Sequence, residues 1–224
     1  MNKKSVLLLG ASGLVGGECL KLLIHDGPYE KITVLTRSPL ITDIQDSRVD
    51  HHIIDFEHLG EYRHLIKADH VICALGTTIK KAGTKENFHR VDFTYSYEIA
   101  RMASEQGSEH YLLVSAMGAD PGSSIFYNRV KGELEQVVQK LSYRGVSIFR
   151  PSLILGQRHE RRLTEQVSKI ISGIFSFAIP ERYKPVQAVN IARAILKIAG
   201  QNLAGIRIIE SNEITRIAKG GHDG

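Results

Sequence analysis

Short apolar runs alternate with longer amphipathic segments along most of the chain. The apolar runs predict β-strands at residues 5–9, 31–36, 51–54, 69–75, 110–115 and 146–150. Two of the amphipathic segments predict long helices, with apolar faces at Phe88, Val91, Tyr95, Ile99 and Met102, and at Phe126, Val130, Leu134, Val137 and Leu141. Strands that alternate with helices predict a three-layer α/β doubly wound Rossmann fold with a mainly parallel sheet.

The pattern loosens beyond Pro151, where we expect helices at residues 163–175 and 189–199 and an extended segment at 205–209. The chain has 224 residues, is 42% hydrophobic and contains no low-complexity linker, which predicts a single domain over residues 1–224. Residues from about 151 onward would form a small substrate-binding region. The longest apolar stretch, residues 169–180, is shorter than the roughly 20 residues that span a bilayer, so we expect no stable membrane insertion.

A glycine-rich turn follows the first predicted strand in "LLLGASGLVG", residues 7–16. Gly10 would permit a sharp turn, Gly13 would leave room for a pyrophosphate, and Gly16 would let the next helix pack closely on the strand. Lys3 and Lys4 before an apolar run resemble the start of an export signal, but that run ends at Gly10 after only four residues. We therefore interpret the turn as an anion-binding strand-turn-helix unit.

The second predicted strand ends in "TRS", residues 36–38, where dinucleotide-binding folds place the residue that meets the adenosine ribose. An acidic residue there would accept a hydrogen bond from a free 2'-hydroxyl. Arg37 instead offers a cationic fork that matches a 2'-phosphate. The sequence thus favours NADP as the cofactor, with NAD the less favoured alternative.

Charge and cysteine content narrow the remaining classes of function. The net charge is +5, but Lys and Arg are scattered without a nucleic-acid-binding motif, so we expect no nucleic-acid partner. Cys19 and Cys73 lie in apolar patterns and predict buried thiols without a disulfide, which suits a cytoplasmic location. The ten histidines lack the spacing of zinc ligands, so no metal site is expected.

Tyr127 and Lys131 lie four residues apart on the second predicted helix, and Ser115 ends the preceding strand. A Lys ammonium beside a phenol stabilises the phenolate and makes Tyr usable as an acid or base. Ser115 could hold a substrate oxygen. From the spacing alone, an ordinary surface pair of side chains is the more common interpretation.

The ordered motifs "GASGLVG", "TRS", "CALGTT", "VSAMGA", "YNRVKGELE" and "FRPSLILG" resemble the short-chain dehydrogenase/reductase superfamily, in its atypical and extended branches. The resemblance covers about residues 4–200. "CALGTTIKKAG" before "VDFTYSYEIA", and "YNRVKGELE" before "FRPSLILGQR", are further similar to the Tat-interacting tumour-suppressor oxidoreductases of that superfamily.

The resemblance implies a role for each matching residue. The implied cofactor contacts are the pyrophosphate turn at Gly10, Ser12, Gly13, Leu14 and Val15, the 2'-phosphate contact Arg37, the adenine neighbours Asp55 and Phe56, the ribose and nicotinamide side at Leu75, Gly76 and Thr77, and the carboxamide border at Pro151, Ser152 and Leu153. Tyr127 would be the catalytic acid or base, Lys131 would hold the nicotinamide ribose and tune Tyr127, and Ser115 would bind the substrate oxygen. Asp92 stands where many members have Asn, which leaves an Asn-dependent proton relay open.

The resemblance implies an NADP-dependent oxidoreductase that acts on a carbonyl or alcohol. An NADP(H)-binding regulatory or sensor protein with a protein partner, and an epimerase or dehydratase, remain open alternatives. A homodimer through the two long helices is also expected for such a family. Arg158, Arg161 and Arg162 could bind an anion or form a solvated charged face.

Overall fold

A seven-stranded parallel sheet forms the centre of the protein in the computed structural model, which describes residues 4–40, 45–156, 180–201 and 203–220. Its strands are β1 (Lys4–Leu9), β2 (Tyr29–Thr36), β3 (Val49–Ile53), β4 (His70–Cys73), β5 (His110–Val114), β6 (Gly145–Arg150) and β9 (Gly205–Glu210). Their order is β3-β2-β1-β4-β5-β6-β9. A second parallel pair joins β7 (Ile154–Leu155) to β8 (Val186–Gln187). The strand order reverses between β1 and β4, which confirms the predicted doubly wound Rossmann fold.

Helices cover both faces of the sheet. They are α1 (Leu14–Asp26), α2 (Ile79–Ala82), α3 (Lys85–His89), α4 (Ser96–Glu105), α5 (Phe126–Val138), α6 (Ala188–Gly200) and α7 (Ser211–Ala218). Two segments are 3-10 helices, Phe56–Leu65 and Glu181–Tyr183, and Arg90–Tyr95 is a π-helical segment. The sequence patterns had not indicated α7, the 3-10 helices or the β7-β8 pair.

Alternate side chains of β1 enter two separate core layers. Val6 and Leu8 pack in the layer that contains α1, α6 and α7, and Leu7 and Leu9 pack in the layer that contains α4 and α5. All four are fully buried, as expected for a central parallel strand covered on both faces. The carboxyl ends of the strands are therefore fixed by apolar packing on both sides.

The first long helix differs from its prediction because it contains the π-helical segment Arg90–Tyr95 between α3 and α4. A π turn accommodates more residues than an α turn, so the face that packs on the sheet changes along the helix. Phe88, Asp92 and Ser96 are completely buried, whereas Val91 and Tyr95 line a cleft, and Tyr95 also packs against the core. The single apolar face that the spacing predicted is thus wrong at Val91.

Several predictions fall outside the described residues: the helix at 163–175, Arg158, Arg161, Arg162, and all of the apolar stretch before Pro180. The predicted helix at 189–199 corresponds to α6, and the extended segment at 205–209 corresponds to β9. Across the four described ranges, no helix is both long and apolar enough to cross a membrane.

Candidate active site

The glycine turn after β1 depends on three close backbone contacts. Gly10 has a φ of +83°, and a Cβ atom there would lie 2.3 Å from the carbonyl oxygen of Ala74. A Cβ atom at Gly16 would lie 2.1 Å from the carbonyl oxygen of Gly10. The Gly13 N–H donates to that same Gly10 oxygen at 2.8 Å. A side chain would therefore disrupt the turn at Gly10 or at Gly16.

The N-terminus of α1 opens towards the same turn. The helix begins at Leu14 after Gly13, which provides no side-chain cap, and its first turn contains no acidic residue. The first N–H groups of a helix lack intrahelical acceptors and lie at the positive end of the helix dipole. This end is suited to bind a phosphate anion.

A cleft of about 740 Å³ lies at the carboxyl ends of the strands. It brings together many of the predicted cofactor contacts, namely Gly10, Ser12, Gly13, Arg37, Asp55, Phe56, Leu75, Gly76 and Thr77. The described lining does not include Leu14, Val15, Ser115, Tyr127, Lys131, Pro151, Ser152 or Leu153. Val15 is instead a buried core residue of α1.

Arg37 is presented to the cleft by a hydrogen-bonded turn. The Thr36 hydroxyl donates to the carbonyl oxygen of Ser38 at 2.8 Å and lies 2.7 Å from His51 Nε2. Since the hydroxyl proton points to Ser38, His51 Nε2 carries a hydrogen and donates to Thr36. Burial, followed by the nearby His52, lowers the pKa of His51. The Arg37 side chain itself is exposed at the cleft.

Asp55 and Phe56 form another wall of the cleft. The Asp55 carboxylate accepts hydrogen bonds from the Glu57 N–H and from His58 Nδ1, both at 2.9 Å, and thereby caps the 3-10 helix that begins at Phe56. These two bonds lower the pKa of Asp55. The Phe56 ring lies 5.4 Å from the Tyr95 ring, which gives this wall an aromatic surface.

The cleft wall also contains polar residues that the sequence did not assign to a site, among them Glu57, Lys81, Asn87, Arg90 and Tyr95. Glu57 accepts a hydrogen bond from the Tyr95 hydroxyl and lies 3.2 Å from Arg90 Nη1. Burial and the Glu57 carboxylate raise the pKa of Tyr95 to about 12.

A sequence signal for part of this wall was available. Thr78 and Thr84 each cap a short helix, by accepting hydrogen bonds from the N–H groups of Lys81 and Asn87 respectively. A Thr followed three residues later by a polar residue is a common helix start. Two such starts directly after the β4 turn would have placed α2 and α3 at the cleft.

Lys131 is buried beneath the cleft wall in an ion pair with Asp92. Lys131 Nζ lies 2.7 Å from Asp92 Oδ1, and the two side chains are 5% and 0% exposed. The second carboxylate oxygen of Asp92 accepts a hydrogen bond from the Thr77 N–H at 2.8 Å. Burial acts to lower the pKa of Lys131, but the Asp92 carboxylate outweighs it, and the pKa is raised overall.

Tyr127 lies one helical turn before Lys131 on α5 and is half-buried. Its ring packs 5.5 Å from the ring of Phe88 in α3. A Cβ atom at Gly76, on the cleft lining, would lie 3.6 Å from Lys131 Nζ. The Tyr127-Lys131 pair is therefore adjacent to the cleft, although neither residue lines it.

Ser115 is buried at the end of β5 and is not part of the described cleft lining. It is 5% exposed, and its hydroxyl donates to Glu135 Oε1 at 2.5 Å. Glu135 also binds Arg150, with its Oε2 2.6 Å from Arg150 Nη2. Glu135 therefore accepts the Ser115 hydroxyl proton in this structure, and the substrate-oxygen role of Ser115 stays a prediction.

The predicted carboxamide border is only partly at the surface. Pro151 is buried, while the backbone N–H groups of Ser152 and Val186 donate to the Ser211 hydroxyl at 3.2 Å and to the Leu153 carbonyl oxygen at 2.9 Å. These bonds connect the segment after β6 to α7 and β8 rather than to the described cleft lining.

Known proteins with similar sequences show the family to which this chain belongs. A family model described as NAD(P)H-binding matches residues 10–144, which contain the glycine turn, the Asp92-Lys131 ion pair and Tyr127. The chain belongs to this NAD(P)H-binding family. One relative, Protein HTATIP2 of Rattus norvegicus, is 34% identical over 222 residues, which cover 98% of this chain and 91% of that protein. The resemblance inferred from the motifs is confirmed.

A second relative corrects the cellular location that was expected from the sequence. Protein FMP52 of Candida albicans is 29% identical over 229 residues, covers 96% of this chain and 98% of its own length, and is named as mitochondrial. Similar proteins from other fungi have the same designation. The cytoplasmic location expected from the cysteine content is therefore wrong, because reduced buried thiols do not specify a compartment.

The NAD(P)H-binding fold is also seen among solved structures. An oxidoreductase of the short-chain dehydrogenase/reductase family from Burkholderia thailandensis aligns with a TM-score of 0.72 and 13% identity, over 96% of this chain and 94% of that chain. At this identity the likeness shows the fold alone.

Proposed function

We propose that the protein is an NADP-dependent oxidoreductase that transfers hydride between the nicotinamide and a carbonyl or alcohol substrate. The observation that carries the proposal is the buried Lys131 ammonium, 2.7 Å from Asp92 and directly beneath Gly76, with Tyr127 one turn away on α5. A surface pair would be solvated, whereas burying a charged Lys is costly unless it is paired.

The cleft has the features that a dinucleotide requires. The backbone approaches at Gly10 and Gly16 leave no room for a Cβ atom, and the uncapped start of α1 offers N–H groups to a pyrophosphate. Arg37 is exposed at the cleft and offers paired donors to a 2'-phosphate. These features support NADP as the cofactor.

A bound reduced nicotinamide would supply a hydride to the carbonyl carbon. The Tyr127 hydroxyl would donate its proton to the substrate oxygen, so that the carbonyl becomes an alcohol and Tyr127 becomes a phenolate. The Lys131 ammonium would stabilise that phenolate, and solvent would return the proton. Gly76 and Thr77 would hold the nicotinamide side of the cofactor against this pair.

The decisive experiment begins with a screen of NADPH oxidation over aldehydes, ketones and quinones. With a substrate in hand, Tyr127→Phe should lower turnover by about 10²- to 10⁴-fold, because a positioned acid contributes that much, and should leave NADP affinity unchanged. Tyr97→Phe is the matched control, since Tyr97 is a half-buried tyrosine whose ring stacks on Phe93. Wild-type turnover by Tyr127→Phe would refute the mechanism.

The second candidate is an NADP(H)-binding regulatory protein. It is favoured by Ser115, because its hydroxyl is held by Glu135 and is not offered to a substrate. Under this proposal NADP binding would change the affinity for a protein partner, while the screen would find no substrate. The names of the fungal relatives support a mitochondrial setting for either function.

A further inference from the structure

The carboxylate of Asp92 links three parts of the site. Its Oδ1 atom lies 2.7 Å from Lys131 Nζ on α5, and its Oδ2 atom accepts the Thr77 N–H on the cleft lining. Asp92 itself lies in the π-helical segment and is completely buried. A Cβ atom at Gly76 would lie 3.4 Å from Asp92 Oδ1, so the ion pair is immediately below the cleft surface.

The titratable groups that act on Lys131 come from three elements of the fold. Asp92 approaches from the π-helical segment, Tyr127 from α5, and Cys73 from β4. The Cys73 thiol donates a hydrogen bond to the Ser96 hydroxyl, with 3.6 Å between sulfur and oxygen. Among the described neighbours that act on Lys131, Asp92 thus supplies the formal negative charge.

We propose that Asp92 is a positioning residue that holds the Lys131 ammonium in place and offsets its pull on the Tyr127 phenol. The Tyr127 phenol then lies beside a paired ammonium and carboxylate rather than beside an uncompensated positive charge. This inference rests on the proposed oxidoreductase function for the catalytic role of Tyr127, but its electrostatic basis is independent of turnover.

The Lys131 ammonium and the Asp92 carboxylate act on the Tyr127 phenol with opposite signs. A buried ammonium alone would stabilise a nearby phenolate strongly, because low-dielectric surroundings screen little. An adjacent carboxylate removes much of that effect while it keeps the ammonium charged. The Thr77 hydrogen bond fixes the carboxylate, so this balance does not depend on a mobile side chain.

The test is a titration of tyrosine ionisation by near-ultraviolet absorbance in the cofactor-free protein. Wild type and Asp92→Asn are each compared with the same protein that also contains Tyr127→Phe, so that the difference isolates the Tyr127 signal. In the Asp92→Asn protein, Tyr127 should lose its proton at a pH lower by about one unit or more. An unchanged or higher ionisation pH would overturn the proposal.

Two further variants separate this effect from damage to the fold. Asp69→Asn is the matched control, because Asp69 also accepts from a backbone N–H and a second donor, both on Ser5, but lies beside the start of β4 at the opposite end of the sheet. It should not change the Tyr127 titration. The double variant Asp92→Asn, Lys131→Met removes both charges and should return the ionisation pH to the wild-type range or above.

Turnover provides the second readout if the screen yields a substrate. In Asp92→Asn, the alkaline loss of carbonyl reduction should begin at a lower pH than in wild type. A shifted titration without turnover in any protein would refute the proposed function and leave the charge balance intact. Turnover in wild type with an unshifted titration would refute only the role of Asp92.

Discussion

The Ser115 hydroxyl donates a hydrogen bond to the buried Glu135 carboxylate, with 2.5 Å between the two oxygens. This bond connects the end of β5 to α5, one turn beyond Lys131. Glu135 in turn binds Arg150 at the end of β6. Ser115 thus helps to hold the helix that carries Tyr127 and Lys131.

Replacement of Ser115 should therefore lower stability. Ser115→Ala leaves one lone pair of a buried carboxylate without its donor, which should reduce the free energy of unfolding by about 1 to 3 kcal/mol. Denaturant unfolding measures this loss, with the exposed Ser124→Ala as control. NADP affinity should stay unchanged. Equal stability of the Ser115 and Ser124 variants would contradict the structural role.

Arg37 should determine the choice between the two nicotinamide cofactors. Arg37→Ala removes charge-assisted hydrogen bonds to a 2'-phosphate, so NADPH affinity should fall by about 10- to 100-fold while NADH affinity changes little. Calorimetric titration of both cofactors into both proteins gives the four affinities. Equal wild-type affinities for NADPH and NADH would exclude the assignment of Arg37.

Gly16 should tolerate no side chain. Gly16→Ala places a Cβ atom 2.1 Å from the Gly10 carbonyl oxygen, so the glycine turn or α1 must shift, at a cost of about 1 to 3 kcal/mol and with loss of cofactor binding. Gly200→Ala is the control, because its Cβ atom would meet no atom within 4 Å at the end of α6. Thermal unfolding and cofactor titration should show a lower stability and a loss of cofactor binding only for the Gly16 variant.

Acid should weaken the fold through two buried histidines. Burial, with a further contribution from Lys4, lowers the pKa of His70 and of His110 to about 4. Lys4 Nζ donates to His70 Nε2 at 3.0 Å, and His110 Nε2 bonds the Ser147 hydroxyl at 2.9 Å. Both rings are thus held in their neutral form in the folded protein.

The sign of this effect follows from the depressed pKa values. Between about pH 6.5 and pH 4 the unfolded chain binds protons that the folded protein excludes, so the free energy of unfolding falls as the pH falls. The loss should be at most about 3 kcal/mol per histidine. His110→Gln should reduce the pH dependence measured by denaturant unfolding, whereas a change at the exposed His64 should not.

The sequence predicted the sheet and the glycine turn because each depends on local pattern. Strands buried on both faces are continuous apolar runs, and the close approaches at Gly10 and Gly16 demand glycine at fixed positions. Ser115 could not be assigned in this way. Its partner Glu135 lies twenty residues away, and only the packing of α5 on β5 brings the two together.

The long-helix prediction failed for a related reason. Helical spacing assumes a constant number of residues per turn, and the π-helical segment breaks that assumption between Phe88 and Ser96. Val91 and Tyr95 therefore line the cleft. Asp92, rather than Val91, is the completely buried residue. The spacing of apolar residues contains no signal for a buried carboxylate that pairs with a distant Lys.

The wide turn at Arg90–Tyr95 makes the number of residues in this helix as important as their identity. Deletion of one residue there would allow a regular α-helix, and it would rotate everything on one side of the turn by about 100° relative to the other. The shortened chain would still form a helix on the sheet. Asp92 would then point away from Lys131. Deletion of a single codon would therefore leave the fold in place but remove the ion pair beneath the cleft.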